Sequence, residues 1–107
     1  MVNLENKKLD LKEFLEELGF TVSLDYEREP MGTLFAEIHP TITQVNNNLS
    51  VYQSFRTLEI ELMAICTEET ENSIYSAVRL LSDEHHVYAN TVTDNTNIVK
   101  MRGNYYD

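Results

Sequence analysis

The 107-residue sequence predicts an α+β domain, a mainly antiparallel sheet of about five strands with two helices on one face, in the order α-β-β-β-α-β-β. Three observations predict it. Across residues 57–66, Leu58, Ile60, Leu62, Ala64 and Cys66 alternate with Thr57, Glu59, Glu61, Met63 and Ile65, the period-2 pattern of a strand with one apolar face. After Thr67 the period changes: Ile74, Ala77, Val78 and Leu81 fall at helical spacing, and Glu68, Glu69 and Glu71 stand where a helix N-terminus favours negative charge. The remaining strands group as hairpins with the helices between them, an arrangement that sends both helices to one face of an antiparallel sheet.

The first element is a helix, because Leu11, Phe14, Leu15 and Leu18 recur on one face and Lys12, Glu13, Glu16 and Glu17 occupy the other. Gly19 stands where helices end in the left-handed conformation. Phe20, Val22, Leu24 and Tyr26 then alternate with polar residues, Glu29 to Gly32 make a turn, and Leu34, Ala36 and Ile38 alternate again, so residues 20–38 read as a hairpin. Pro40 lacks a ladder donor and marks an edge strand or a bend. The polar stretch from Thr41 to Tyr52, with Asn46, Asn47 and Asn48 in a row, reads as a solvated loop. Beyond the second helix, residues 87–93 and 98–102 alternate on either side of an Asp94-Asn95-Thr96 turn and form a closing hairpin. The ends, Met1 to Lys8 and Gly103 to Asp107, read as arms on a single domain spanning 1–107.

Composition narrows the chemistry. With 18 acidic against 8 basic residues the formal charge is −10, which opposes any grip on a nucleic-acid backbone. It suits a solubility surface, a wall that DNA passes without sticking, or a mimic of nucleic acid seated in a basic groove. A single cysteine, Cys66, rules out an intramolecular disulfide and, at the end of an apolar strand face, reads as a small buried hydrophobe. Met1 is followed by no basic and apolar leader, and no apolar run approaches the roughly 20 residues of a membrane span, so neither secretion nor membrane insertion is expected.

Site chemistry is sparse. Asp83, Glu84, His85 and His86 concentrate metal-ligand types, but adjacent histidines diverge on a regular element, whereas helical ligand pairs sit four apart. Protonated histidines at a helix C-terminus are the structural explanation for the pair. The serines lack a nucleophile-elbow context, and three glycines build no phosphate loop. No catalytic residue, metal ligand or cofactor site is therefore assigned. Candidate contacts remain: Asn46, Asn47, Asn48, Tyr105 and Tyr106 as interface residues outside the expected core, and Glu59 and Glu61 as an acidic surface or lumen.

The element order, the size and above all the run LEIELMAICTEETENSIYSAVRLL resemble small tail-completion proteins of long-tailed bacteriophages, the tail terminator group, over Leu9 to Arg102. The resemblance is architectural and carries over no motif residue by residue. It implies a non-enzymatic structural protein, forming a ring of six copies at the head-proximal end of the tail tube, ending tail growth and joining tail to head. The implied partners are further copies of the chain, the tail tube protein and the head connector protein, with DNA passing through the lumen without specific binding. The implied location is the virion tail, and the host cytoplasm during assembly. The Asn-rich loop and the short chain depart from that pattern and leave room for a head-completion protein. Two other classes stay open: an inhibitor that mimics nucleic acid and blocks a DNA-binding host protein, and a metal-dependent enzyme using the His85 region.

Overall fold

In the computed structural model, residues 4–46, 52–65, 68–94 and 97–106 are described. The element order is α1(Leu4–Glu17), β1(Thr21–Leu24), β2(Leu34–Asn46), β3(Tyr52–Ile65), α2(Glu68–His85), β4(Tyr88–Asp94) and β5(Ile98–Tyr106). They form a two-layer α+β structure around a five-stranded sheet of order β1-β2-β3-β5-β4. β3 is the central strand, as its full apolar face requires: Leu58, Ile60, Leu62 and Ala64 are each at most 1% exposed. Leu11 and Leu15 of α1 and Ile74, Ala77 and Leu81 of α2 close over that face. The helices meet where Phe14 packs edge-on against His85, with ring centroids 4.4 Å apart.

α1 begins four residues from the start of the chain, so Leu4 to Lys8 belong to a helix and not to an arm. Lys8 disguised this in the sequence, because its charge sits on the buried face. Its ammonium bonds Asp25 Oδ2 at 2.8 Å and Glu5 Oε1 at 3.1 Å. Burial alone would lower its pKa, but the two carboxylates outweigh it and hold the pKa above 10.5. At the other end, Phe20 N–H donates to the Leu15 carbonyl and Gly19 N–H to Glu16, both at 3.0 Å, with Gly19 at φ 98°. This is the left-handed cap that the glycine announced.

The expected first hairpin is not formed: β1 and β2 run parallel, with Thr21 opposite Phe35 and Leu24 opposite Ile38. The strand stops two residues early because Asp25 and Tyr26 turn to φ 56° and 59°, and residues 25–33 return the chain to the start of β1. β2 then continues through Pro40. Ile38 directs its carbonyl to Asp25 N–H on the β1 side. Pro40, two residues on, therefore turns its missing donor to that same side, beyond the end of β1. The edge expected at Pro40 is thus local, while the opposite side of β2 stays paired with β3 from Leu34/Ala64 to Asn46/Tyr52.

The expected dozen-residue loop is largely strand. Residues 41–46 and 52–56 extend the β2–β3 hairpin outward, and only 47–51 at its tip lie outside the described residues. The β-branched Thr41, Ile42, Thr43 and Val45 favour this, against the polar composition that suggested a loop. The closing hairpin is present, with β5 inside and β4 at the edge.

β5 also runs on to Tyr106, which removes the expected C-terminal arm. Gly103 permits the close approach of β4: a Cβ there would lie 2.8 Å from the Tyr88 carbonyl oxygen. Tyr105 pairs with Leu58 and is 9% exposed.

Candidate functional site

Strand register dictates what lies on the face away from the helices. Pairing places Glu37, Glu61 and Arg102 in one row across β2, β3 and β5, and His39, Glu59 and Asn104 in the next. The rows converge into one polar network. Arg102 Nε is 3.4 Å from Glu59 Oε1 and its Nη2 is 3.2 Å from Glu61 Oε1. His39 lies between two carboxylates, 3.4 Å from Glu37 and 3.5 Å from Glu59. Tyr26 stacks on the His39 ring with centroids 4.2 Å apart, and its hydroxyl is 2.8 Å from Nε2. Glu37 Oε2 accepts the Tyr26 backbone N–H at 3.1 Å, so the unusual backbone at Tyr26 is held by the network it covers.

Burial sets the electrostatics. Glu37 and His39 are 3% and 6% exposed. Burial first, then a hydrogen bond shared with Glu61, holds Glu59 above its ordinary 4.5. Beside the network an open groove of about 380 Å³ is lined by Pro30, Phe35, Glu37, Met63, Lys100 and Arg102 among others. Among the described residues no three His, Cys, Asp or Glu side chains converge in a way that could hold a metal ion.

Glu59 and Glu61 therefore do lie opposite Leu58, Ile60 and Leu62, but they are not a bare acidic strip. Their side chains are 20% and 33% exposed and share Arg102. Changing both to Lys would set two cations against Arg102 and remove both of its carboxylate partners. We expect a loss of about 2 kcal/mol, above the roughly 0.5 kcal/mol of an ordinary surface change. Urea unfolding of the double variant checks this.

Of the expected interface residues, Asn46 ends β2 opposite Tyr52, at the outer end of the hairpin. Asn47 and Asn48 lie outside the described residues. Tyr105 is corrected from docking residue to core residue: its ring packs in the core cluster, with Lys7 Nζ 4.9 Å from its centroid. Tyr106 ends β5 opposite Thr57. Cys66 lies outside the described residues. The sequence reading missed Glu37, His39, Tyr26 and Arg102. Glu37 and His39 sit two apart on an alternating strand and so share its polar face, but only the cross-strand register brings Arg102 and Glu59 to them.

The histidine pair ends α2 in a different way from that expected. His86 takes φ 58°, and Val87 N–H donates to the Leu81 carbonyl at 3.0 Å to close the helix. His85 is held neutral: burial, then Lys7, lowers its pKa from 6.5. Lys7 Nζ is 3.2 Å from its Nδ1. The unfolded chain takes up a proton near 6.5 and the folded chain does so only at lower pH. The stability from His85 is thus complete above 6.5 and lost as pH falls through the depressed value. Glu59 has the opposite sign, because its raised pKa makes its contribution complete below 4.5 and lost as pH rises through the folded value. Replacing His85 by Gln is expected to flatten the fall in stability on acidification below 6.5, measured by denaturant unfolding at stepped pH.

Fold and site together define a small acidic α+β protein, one sheet face sealed by helices, the other carrying a polar network of three carboxylates with Arg102 and His39, with a hairpin extended beyond both. Among the described residues no helix is long and apolar enough to cross a membrane. The chain belongs to the family of gene product 19 of Lactococcus phage c2: the two are 79% identical over 107 residues, covering 100% of each. It is a bacteriophage protein. No protein-family model matches the chain, and no solved structure matches it.

Proposed function

We propose that this phage protein is a non-enzymatic structural component, a ring-forming tail terminator that assembles at the head-proximal end of the tail tube and joins tail to head. The observation that carries the reading is the outer half of the β2–β3 hairpin. β1 ends opposite Ile38 and β5 ends opposite Thr57, so among the described residues the strands beyond those points pair only with each other. A two-stranded ribbon has little stability in water by itself, and one projecting from a packed domain gains a second layer on assembly. The architecture, the phage family and the −10 charge support the same role. A negative wall repels passing DNA. With Glu59 and Glu61 sharing Arg102, much of that field comes from other carboxylates, including the exposed Asp10, Glu13 and Glu17 of α1. Those three carboxylates also favour the rival reading, a nucleic-acid mimic, since they recur about once per helical turn along one helix.

The test is native mass measurement and co-sedimentation, alone and with purified tail tubes and head connectors, joined to complementation of a phage lacking the gene. A hexamer on tube ends, and loss of the gene giving overgrown tails and unjoined heads, is the expected result. A monomer that ignores tubes and connectors, from a gene whose loss leaves particles intact, overturns the reading. Capture of a DNA-binding host protein by that monomer identifies the mimic.

A further inference from the structure

The sheet has two lateral boundaries with unequal protection. On the β1 side the boundary strand has only four residues, and the segment after it turns back on it: Leu24 N–H donates to Glu27 Oε1, and Arg28 N–H donates to Ser23 Oγ, both at 3.2 Å. Past Ile38 that cover ends. The alternation that aims Ile38 at β1 aims the backbone groups of Ile42, Gln44 and Asn46 to the same side, where no described strand lies. On the other side β4 pairs only with β5, and all seven of its residues are exposed. It has none of the usual edge defences of lysine, proline or shortness, its bulge between Ala89 and Thr91 excepted.

Both edge runs are poor in charge. Thr41 to Asn46 and Tyr88 to Thr93 contain no acidic or basic residue, in a chain with 18 carboxylates and net charge −10, and the one charge of β4, Asp94, stands at its end. Copies of so acidic a chain repel one another over most of their surfaces, and contact is least opposed where charge is absent. The runs lie on opposite sides of the sheet.

We propose that these edges pair between copies: β4 of one chain hydrogen-bonds along residues 41–46 of β2 in the next, so that the sheet continues from chain to chain. The occupant of each edge is thus a second copy of this protein. Because the two edges differ, the contact is head-to-tail, the type that generates rings when its rotation closes. A symmetric β4–β4 contact would stop at a dimer and leave the β2 edge unpaired. Backbone bonds supply the attraction, and Tyr88 and Val92, 52% and 42% exposed, supply the apolar area that β4 brings with it. This inference rests on the ring reading for its closure into a defined number of copies, but the edge pairing itself does not require tails.

The experiment uses the full chain with Cys66→Ala and one new cysteine, either Thr43→Cys or Thr91→Cys, treated with a short thiol-to-thiol linker alone and with tail tubes present. Mixing the two variants is expected to give several-fold more cross-linked dimer than either alone. Thr91→Cys linking to itself as readily as to Thr43→Cys overturns the pairing, as does the absence of a 43–91 link under every condition. Charge reversal gives a second route without cysteines. Thr91→Lys and Thr43→Glu should each weaken association in sedimentation, and the mixture should restore it, with circular dichroism establishing that each variant folds. Failure of the mixture to restore association of folded variants counts against the pairing. Cross-linked chains that ignore tail tubes would keep the edge pairing and remove the tail role. Tube-bound rings with no 43–91 link would do the reverse.

Discussion

Deleting Tyr105 to Asp107 is expected to destabilise the folded monomer by about 4 kcal/mol, and not merely to weaken assembly. Tyr105 is 9% exposed, stands opposite Leu58 on the central strand, and carries Lys7 over its ring. Its loss removes an aromatic side chain from the core, typically about 3–5 kcal/mol, together with the β5 ladder at Tyr105 and Tyr106. Thermal and urea unfolding measure the effect directly. A truncated chain with unchanged midpoints would mean that the last two residues of β5 are not part of the cooperative fold. Replacing Tyr105 alone by Phe should retain nearly all of the stability, because the ring and not the hydroxyl makes the contacts given above.

Ile60→Ala should have an effect of similar size. Ile60 is 0% exposed, central in β3, and flanked in register by Ile38 and Gly103. Gly103 offers no side chain to fill the space on its side, so the loss includes a cavity term as well as the missing transfer free energy. An expected cost of about 4 kcal/mol lies in the upper part of the usual range for a buried isoleucine. A shift in denaturation midpoint with an unchanged denaturant slope would identify the change as one of stability alone. Ile60→Val, which removes one methylene, should cost about 1 kcal/mol, and the ratio of the two losses reports how far the core collapses around the smaller residue.

The segments that sequence reading placed well are those whose burial is one-sided and periodic. β3 and α2 each show one period without interruption, so Leu58, Ile60, Leu62, Ile74, Ala77 and Leu81 were all legible as core. The errors have local causes. Lys8 looked like a surface residue because a lone charge in a sequence gives no sign of Asp25, 17 residues away, which compensates it. Gly103 to Tyr106 looked like a tail because glycine and asparagine depress strand propensity, whereas here Gly103 is small to admit β4 and Asn104 is paired with Asn90. Thr41 to Tyr52 looked like a loop because its polar composition was read as solvation, whereas residues 41–46 and 52 pair as strand.

The sequence by itself determined the class of the fold, the order of its elements, the apolar face of the central strand and the acidity that any partner must meet, because these depend on local period and on summed charge. Tertiary structure alone decided that β1 runs parallel to β2, since the direction of return depends on Asp25 and Tyr26 adopting positive φ under the hold of Glu37. It likewise decided that Glu59 and Glu61 share Arg102 and are not a free acidic strip. Arg102 and His39 lie on other strands, and only the hydrogen-bond register that aligns those strands brings the guanidinium and the imidazole within reach of the two carboxylates.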